Sequence, residues 1–356
     1  MAATPTIDEQ KLEQFMGQFV QDMGAAATAP LVVIGDKLGL YKAMADGEPL
    51  TPAELAERTG CHERYLREWL CQQAASGYVA YDAAGATFRL PPEQALALAH
   101  DDSPAFIPGA FQLIAAIVKD EPHITERFRS GEGFGWHEHD HDLFEGTERF
   151  FRPGYLANLV ESWLPSLEGV VEKLEAGARV ADIGCGHGAS TILMAQAYPA
   201  STFVGTDYHE SSIEAARRAA ERAGVADRVS FEASSAKALS GGPYDLVCVF
   251  DALHDMGDPV GAARHVRSQL AGDGTWLVVE PFAGDAVEDN LNPVGRIFYA
   301  GSTMLCTPAS LSQEVGLALG AQAGEQRLAE VLHEGGFSRV RRSAETPFNL
   351  VLEVRP

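Results

Sequence analysis

The feature that most constrains the fold is a regular alternation of strand-like and helix-like segments after Gly177. Short apolar runs are the strand candidates, and residues 190–197 and 211–223 between them have the apolar spacing of helices. Repeated strand–helix units predict an α/β fold, with a parallel sheet covered by helices on both faces. Two runs at the end of the chain would add an antiparallel hairpin and complete a seven-stranded sheet. The predicted strands are residues 179–183, 202–207, 229–233, 246–250, 275–280, 340–346 and 348–354.

The part of the chain before this sheet is predicted to be mainly helical. Thr51-Pro-Ala-Glu54 has the pattern of a capping box at a helix start, and Gly60 marks the end of that helix. A second amphipathic helix and a two-stranded ribbon follow, which is the order of a winged helix. The 356 residues suffice for about two domains. We predict a winged-helix domain in residues 1–100, a helical linker and pocket lid in residues 101–176, and the α/β domain in residues 177–356.

Charge argues against nucleic acid as a partner. Twenty-seven Lys and Arg side chains stand against fifty Asp and Glu, a formal net charge of −23, and such a chain repels a polyanion. Within residues 51–90, four arginines and five acidic side chains give 4 − 5 = −1. DNA-binding winged helices are basic. We therefore expect this module to hold subunits together or to close a pocket.

An apolar stripe near the N-terminus supports the first of these roles. Leu12, Phe15, Met16, Phe19 and Met23 fall on one side of a predicted helix. Such a face needs a surface to cover it, and a partner subunit or the same domain could supply that surface. We predict a homodimer formed through the N-terminal domain.

The chain has the features of a cytoplasmic protein without a membrane partner. Residues 1–8 contain no basic segment followed by an apolar core, and the best apolar run, residues 105–118, is too short to span a bilayer. Its five cysteines are scattered, without a C-x-x-C pair. They therefore predict neither a disulfide framework nor a zinc site.

The sharpest motif is Val180-Ala-Asp-Ile-Gly-Cys-Gly-His-Gly188, at the end of the first sheet strand. Three glycines at alternate positions allow a tight turn and let a ligand lie against the main chain. A dinucleotide-binding loop has G-x-G-x-x-G instead and faces a pyrophosphate. Here Asp182 precedes the glycines. Its carboxylate suits a ligand with an ammonium or sulfonium cation better than a phosphate.

A second acidic side chain, Asp207, ends the next strand, where a carboxylate can accept hydrogen bonds from both hydroxyls of a ribose. The glycine loop and Asp207 together resemble the class I S-adenosylmethionine-dependent methyltransferases, over about residues 175–354. The resemblance implies S-adenosylmethionine as the cofactor and residues 177–356 as the catalytic domain with a Rossmann-like sheet. By this resemblance, Asp182 lies near the amino group of the cofactor, and Gly184 and Gly186 line its methionine part. Asp207 would bind the ribose, and Tyr208 would lie near the adenine.

The segment after the third strand departs from that family. Many members have an acidic residue there, which meets the adenine amino group, whereas this chain has Ser235, whose hydroxyl can accept the same hydrogen bond. The predicted cofactor residues beyond those already assigned are Cys185, Ser235, Ala236, Phe250 and Asp251.

A histidine follows the fourth strand, in Phe250-Asp-Ala-Leu-His-Asp-Met-Gly-Asp258. This His-Asp pair resembles the motif of small-molecule O-methyltransferases that carry an N-terminal winged-helix dimerisation domain. In them the histidine matching His254 is the general base that deprotonates the acceptor hydroxyl, a task that suits an imidazole. Glu280 matches the carboxylate that orients the base, but Gln322 stands near the place of a further carboxylate. A loop histidine that caps local backbone is the alternative for His254.

The C-terminal segments resemble an actinobacterial-type subgroup of these methyltransferases, and with that subgroup the resemblance covers nearly the whole chain. The segments are residues 292–299, 302–308, 319–324 and 345–349. Phe298, Tyr299 and Met304 are predicted substrate-pocket residues, with ordinary core positions as the alternative. Trp136 of the lid completes the predicted substrate set.

Three histidines alternate with acidic residues in Trp136-His-Glu-His-Asp-His-Asp142. In an extended chain His137, His139 and His141 would share one face and could bind zinc. The acidic neighbours and the glycines of residues 131–135 also fit a polar lid over the pocket. We predict the lid and no metal site.

These features predict an S-adenosylmethionine-dependent methyltransferase that methylates an oxygen atom of a small-molecule acceptor. Transfer to nitrogen or carbon is the nearest alternative, since an amine need not be deprotonated by the enzyme. A ligand-sensing winged-helix transcriptional regulator and a nicotinamide-dependent oxidoreductase are the alternatives from other classes.

Overall fold

The protein is described by a computed structural model that covers residues 7–356. Residues 1–6, on which the prediction about a secretory signal partly rests, lie outside the described residues. The chain folds into two compact units, the first ending at Ala115 and the second beginning at Ala116. The division into three regions stays a prediction. Every helix among residues 7–356 is too short or too polar to span a bilayer.

The first unit has the predicted order of helix, turn, helix and ribbon. The capping box is present: Thr51 Oγ1 accepts from the Glu54 amide at 3.2 Å, and Glu54 Oε2 accepts from the Thr51 amide at 2.7 Å. Gly60 ends this helix with φ at +70°. The elements are α1 (Glu9–Lys37), α2 (Leu40–Ala43), α3 (Pro52–Thr59), α4 (Glu63–Ala75), β1 (Ala80–Asp82), β2 (Thr87–Arg89), α5 (Pro92–Leu98) and α6 (Pro108–Val118), the last of which crosses the boundary between the units.

The predicted apolar stripe lies on the outer surface of α1. Its five side chains, Leu12, Phe15, Met16, Phe19 and Met23, are between 47% and 62% exposed. The helix buries Thr28, Ala29, Val32 and Gly35 nearer its C-terminal end instead. Packing against its own domain, one of the two alternatives for the stripe, is therefore not what this chain does. A contiguous exposed apolar face is typical of an interaction surface.

The second unit alternates strands and helices. Its elements after α6 are α7 (Glu121–Ser130), α8 (His141–Asn158), α9 (Val170–Ala176), β3 (Arg179–Ile183), α10 (Ala189–Ala197), β4 (Thr202–Asp207), α11 (Glu210–Ala223), β5 (Val229–Ala233), β6 (Tyr244–Phe250), α12 (Pro259–Gln269), β7 (Leu270–Pro281), α13 (Pro293–Gly301), α14 (Thr307–Leu311), α15 (Gly324–Glu334), β8 (Arg339–Glu345) and β9 (Asn349–Arg355). Short 3₁₀ turns at Trp136–Glu138 and Leu253–Asp255 and π-helical turns at Leu159–Trp163 and Ser302–Cys306 lie between them.

The α/β prediction is confirmed by a seven-stranded sheet in the second unit, within residues 7–356, with the order β5-β4-β3-β6-β7-β9-β8. The first five strands of this order pair in parallel, and β9 pairs antiparallel with both β7 and β8. The chain leaves β3 toward β4 and β5 on one side and returns to β6 on the other. The direction of winding thus reverses between β3 and β6, which is the place where open α/β sheets bind ligands.

Both faces of the sheet are buried, which explains why its strands read as continuous apolar runs. In β6, Leu246, Cys248 and Phe250 belong to the core on one face. Val247 and Val249, which alternate with them, belong to the core on the other face. The sheet thus has no solvent-facing side at its centre, and its polar chemistry is concentrated at the strand ends.

A substitution at Gly188, the N-cap of α10, should destabilise the fold more than one at Gly186. Both residues have positive φ, +79° and +51°, so alanine costs about 1–2 kcal/mol of backbone strain at either. A Cβ on Gly188 would also lie 2.6 Å from Phe231 Cζ, whereas one on Gly186 meets nothing within 4 Å. We expect Gly188→Ala to lower the free energy of unfolding by roughly 2–4 kcal/mol and Gly186→Ala by roughly 1–2. Urea denaturation measures both; equal losses would contradict the steric argument.

Candidate active site

A cavity of about 530 Å³ opens at the carboxyl ends of β3, β4, β5 and β6. Its volume lies within the range of small-molecule sites. The ends of these strands, the loops that follow and the helices after those loops form one side of the wall, at residues 183–187, 189, 207–209, 212, 234–237, 250–252, 255, 256, 258 and 262. The other side consists of residues 136, 137, 144, 147, 148, 151, 155 and 312–314.

The glycine loop after β3 presents bare main chain to this cavity. Gly184 and Gly186 have φ of +69° and +51°, a left-handed conformation that favours glycine. The amides of Gly184 and Cys185 donate to the Thr206 carbonyl at 2.7 and 3.0 Å and so tie the loop to β4. A Cβ on Gly184 would lie 2.9 Å from the Ala252 Cβ, while Gly186 has open space on that side. The loop is therefore both fixed and accessible to a ligand.

Asp207 ends β4 and lines the cavity beside the loop. Its Oδ2 accepts from the Gly186 amide at 3.1 Å, and its Oδ1 accepts from the His209 amide at 2.9 Å. Burial raises the pKa of this carboxyl above its usual value, against the hydrogen bonds from these amides. Each oxygen keeps a lone pair that two adjacent hydroxyls could fill. Tyr208 follows in the wall with its side chain half exposed.

Asp182 lies behind the loop rather than in the cavity wall. Its Oδ2 accepts from Ser190 Oγ and Thr191 Oγ1, each at 2.6 Å, in the first turn of α10. Burial raises its pKa to about 6, although these hydrogen bonds act to lower it. Asp182 thus anchors α10 beneath the glycines, and a direct contact with a ligand's amino group stays a prediction.

Phe250 and Asp251, both predicted cofactor residues, line the cavity at the end of β6. Asp251 has φ at +49°, uncommon for a residue with a side chain. Asn349 Nδ2 donates to its Oδ1 at 3.4 Å. Burial raises the pKa of the Asp251 carboxyl well above its ordinary range, and the nearby charge of Glu280 adds to this. Backbone strain of this kind is concentrated at functional sites.

His254 lies in the 3₁₀ turn after β6, with 3% of its surface exposed. Its Nδ1 is 2.5 Å from Glu280 Oε2, and its Nε2 is 3.1 Å from Asp255 Oδ1. Glu280 Oε1 also accepts from the Leu253 amide at 2.9 Å. Burial opposes the charged ring, but the carboxylates of Glu280 and Asp255 outweigh it and raise the pKa of His254 well above its usual value. The predicted contact between His254 and Glu280 is present, but neither residue lines the cavity.

Asp255, which the sequence-based site did not include, does line the cavity. Trp136 Nε1 donates to its Oδ2 at 3.0 Å, so the predicted lid residue contacts the His254 network. Gln322, in the place of the family's further carboxylate, instead donates from Nε2 to the Phe282 carbonyl at 3.1 Å. Asp255 thus provides the second carboxylate beside the ring.

One face of α8 forms a wall that the sequence reading missed. Phe144, Thr147, Glu148, Phe151 and Tyr155 line the cavity from this helix, at offsets 0, 3, 4, 7 and 11. The same spacing was available as a sequence signal. Tyr155 reaches the strand side of the wall, where its ring centroid lies 5.3 Å from that of Phe250.

The three histidines of the predicted lid, His137, His139 and His141, lie in three different environments. His137 lines the cavity, His139 is buried with Nδ1 2.7 Å from Asp120 Oδ2, and His141 begins α8. Among residues 7–356, the group of side chains with ligand atoms close enough for a metal ion is His254, Asp255 and Cys306, within 4.8 Å of one another. Two of these already form an ion pair, so we interpret the group as part of the His254 network.

The predicted substrate residues divide between the wall and other places. Trp136 lines the cavity, whereas Phe298 and Tyr299 on α13 and Met304 in the turn after it are half-buried and outside the wall. The predicted cofactor residues Ser235 and Ala236 are in the wall.

The cavity wall is rich in carboxylates. Lys237 also lines the wall, but its ammonium group is paired with Asp258 Oδ2 at 3.1 Å and with Glu314. The acidic residues of the wall are Glu148, Asp207, Asp251, Asp255, Asp258 and Glu314. A site with this balance favours a ligand that carries positive charge.

Two family models match the chain. Residues 174–336 match the model described as Methyltransferase domain, and residues 26–100 match the Rv2258c-like winged HTH domain. The second match confirms the winged-helix prediction for the first unit. It begins in the C-terminal half of α1 and ends just after α5.

Relatives of known activity are similar over part of the chain. The 27-O-demethylrifamycin SV methyltransferase of Amycolatopsis mediterranei is 35% identical over 131 residues, 35% of this chain and 48% of that protein. The ubiquinone biosynthesis O-methyltransferase of Bordetella avium is 31% identical over 134 residues, 36% of this chain and 52% of that protein. The chain thus spans about half the length of these curated relatives.

Solved structures are similar over nearly the whole chain. Mitomycin 7-O-methyltransferase MmcR has a TM-score of 0.69 at 21% identity, covering 98% of this chain and 100% of that one. Human N-acetylserotonin methyltransferase, solved with S-adenosylmethionine, has a TM-score of 0.69 at 15% identity, covering 100% and 99%. At these identities the likeness establishes the fold.

The raised pKa of Asp182 predicts a pH-dependent effect of removing its charge. Between its ordinary value of 3.8 and the folded value of about 6, the folded carboxyl keeps a proton that the unfolded one releases, so stability falls as the pH rises through this window. Asp182→Asn lacks this loss. We therefore expect the difference in free energy of unfolding between Asp182→Asn and the native protein to shift by roughly 2–3 kcal/mol in favour of the variant as the pH rises from about 4 to 7. Urea denaturation across that range measures the gain, with Asp227→Asn on the surface as control; parallel curves for Asp182→Asn and the native protein would contradict it.

Proposed function

We propose that this chain, in which residues 26–100 belong to the Rv2258c-like winged helix-turn-helix family and residues 174–336 to the methyltransferase domain family, transfers a methyl group from S-adenosylmethionine to an oxygen atom of a small-molecule acceptor. One observation carries the proposal. The glycine loop, the Asp207 carboxylate and the network around His254 meet at a single cavity.

The residues of the cavity fit S-adenosylmethionine as the cofactor. The open main chain at Gly186 and the free lone pairs of Asp207 suit its methionine part and the two hydroxyls of its ribose. Tyr208, Ser235 and Ala236 also lie in the cavity wall, and we assign the adenine to them. The acidic wall suits the positive charge of a sulfonium. Asp182 supports this site through α10.

The cofactor supplies an activated methyl group, and the chain's residues supply alignment and proton removal. The aromatic side chains of α8 and Trp136 would hold the acceptor against the carboxyl edge of the sheet. Transfer to oxygen requires that the acceptor hydroxyl lose a proton. The buried network of His254 and Glu280 beside the cavity supports oxygen over nitrogen or carbon as the acceptor atom.

The N-terminal unit is proposed to join two copies of the chain. The exposed stripe on α1 would be covered by its counterpart in a second subunit, and the acidic balance of residues 51–90 favours this role over DNA binding. The five cysteines are free thiols, which fits work in the reducing cytoplasm.

Calorimetry with S-adenosylhomocysteine and with NAD tests the cofactor. We expect binding of the first and none of the second. Asp207→Asn should weaken binding of S-adenosylhomocysteine about 10- to 100-fold, since charge-assisted hydrogen bonds to the ribose are lost. Asp227→Asn, an exposed acid paired with Arg228, should leave it unchanged. Tight binding of NAD alone would reject the proposal.

Incubation with methyl-labelled S-adenosylmethionine and a host metabolite extract tests the reaction. We expect label in a small molecule as a methyl ether or ester, and mass spectrometry of the product identifies the acceptor. Label on nitrogen or carbon would contradict the choice of oxygen, and label on protein or nucleic acid alone would contradict the small-molecule acceptor.

Substitutions on α1 test the dimer. Phe15→Glu with Phe19→Glu places two charges on the exposed stripe, so we expect sedimentation to show a monomer where the native protein is a dimer. Gln14→Glu with Gln18→Glu adds the same charge on the opposite side of the helix and should leave the dimer intact. A native monomer, or equal behaviour of both variants, would contradict the role of the stripe.

A further inference from the structure

We propose that the methyl acceptor carries a positively charged amine, and that Glu148 on α8 binds this group. The inference rests on the proposed methyl transfer and specifies the chemical class of its acceptor, a small hydroxylated molecule with a basic nitrogen. Glu148 acts in binding and specificity and takes no part in moving the acceptor's proton.

Glu148 is the acidic residue of the α8 wall, and aromatic side chains flank it. Phe144 lies one turn before it and Phe151 one turn after it on the same face of the helix, and all three line the cavity. The ring of Trp136, also in the wall, has its centroid 5.9 Å from that of Phe144. A carboxylate among aromatic rings is a favourable site for an organic ammonium group, which the faces of the rings also attract.

The Glu148 carboxylate is incompletely paired within the protein. Its side chain is 25% exposed, and Arg152 Nε lies 3.9 Å from Oε1, a loose ion pair that is too long for a hydrogen bond. Neither oxygen accepts a hydrogen bond from another residue in the described part of the chain. Burial raises the pKa of this carboxyl, against the charges of Arg152 and Arg149. A ligand cation in hydrogen-bond contact would offset the cost of that burial.

The other carboxylates of the cavity wall already have closer partners. Each of them accepts a hydrogen bond or pairs directly with a cation of the protein. They are Asp207, Asp251, Asp255, Asp258 and Glu314. Within residues 7–356, Glu148 is therefore the wall carboxylate that a positively charged ligand would stabilise most.

The hydroxyl of Tyr155, two turns along the same face of α8, is an independent sign of a polar ligand. Tyr155 lines the cavity with 9% of its surface exposed. Its hydroxyl forms no hydrogen bond with another residue in the part of the chain that the structure describes. Burial raises the pKa of this hydroxyl well above its usual value, and the nearby charges of Asp251, Asp182 and Glu148 add to the effect. So deeply buried a hydroxyl normally has a partner, and a ligand on this face would supply one.

The position of α8 indicates the acceptor rather than the cofactor as the source of the cation. The contacts proposed for the cofactor come from the loops after β3, β4 and β5, whereas α8 belongs to the other side of the wall, where the acceptor is proposed to bind. An amine that keeps its proton to pair with Glu148 has no lone pair with which to attack a methyl group. The charged amine thus orients the acceptor and leaves its hydroxyl as the nucleophile.

The charge of the labelled product tests the acceptor class. Native enzyme is incubated with methyl-labelled S-adenosylmethionine and the host metabolite extract, and products are separated on a cation exchanger at pH 7. We expect a labelled methyl ether or ester that is retained, with an unmethylated basic nitrogen found by mass spectrometry. A labelled product without a basic nitrogen, or with the label on that nitrogen, would overturn the inference. Failure of S-adenosylhomocysteine to bind, or of any small molecule to be labelled, would reject the proposed function instead.

Kinetics with the acceptor recovered from that extract tests Glu148. Glu148→Gln removes the charge with little change in size, so we expect KM for the acceptor to rise about 10- to 100-fold, the usual effect of losing a charge-assisted hydrogen bond. Its kcat should stay within about threefold of native, since the lost contact binds ground state and transition state alike. Glu172→Gln, exposed on α9 outside the wall, should leave both constants unchanged.

Acetylation of the acceptor's amine separates a charge contact from a merely structural role. The acetylated acceptor has no positive charge, so its KM with native enzyme should be about 10- to 100-fold higher, and Glu148→Gln should add nothing further. Calorimetry should show equal affinity of both enzymes for S-adenosylhomocysteine. An equal rise in KM for both forms of the acceptor, or weaker binding of S-adenosylhomocysteine to Glu148→Gln, would overturn the assignment of Glu148 to the acceptor's amine.

Discussion

Burial of carboxylates at the carboxyl edge of the sheet is the constraint on which the rest of the second unit depends. A carboxylate that loses its hydration needs donors or a cation close by. Asp182 obtains two hydroxyls from α10, Asp207 obtains two loop amides, and Glu280 obtains the Leu253 amide and the His254 ring. Because the loops that supply these donors also shape the cavity, the same hydrogen bonds stabilise the fold and build the site.

The sheet and half of the cavity could be predicted from sequence because they depend on local backbone demands. Strands buried on both faces appear as continuous apolar runs, and the tight turn after β3 needs glycine at Gly184 and Gly186. Because the parallel neighbours β3 and β4 end at the same edge of the sheet, the position of Asp207 beside that loop could be predicted. None of these inferences required knowledge of a distant contact.

The rest of the site depends on tertiary packing, which local patterns do not specify. The stripe from Phe144 to Tyr155 is visible as a helical face, but only the fold shows that it covers a cavity rather than the core. The 3₁₀ turn after β6 decides that Asp255 reaches the wall while His254 points toward Glu280. The motif identifies this pair of neighbours, and the turn decides which of the two lines the cavity.

The proposed methyl transfer would change two charges in this cavity together. When the methyl group leaves, the positive charge on sulfur is lost, and the acidic wall loses the cation that it suits. If the acceptor's proton stays on a group of the buried network, the net charge of the site stays constant in the same step. Transfer of that proton to bulk water would leave the carboxylates around His254 short of one positive charge, a costly state in a site with little solvent. The carboxylates around His254 therefore suit a reaction in which the acceptor's proton remains within the site.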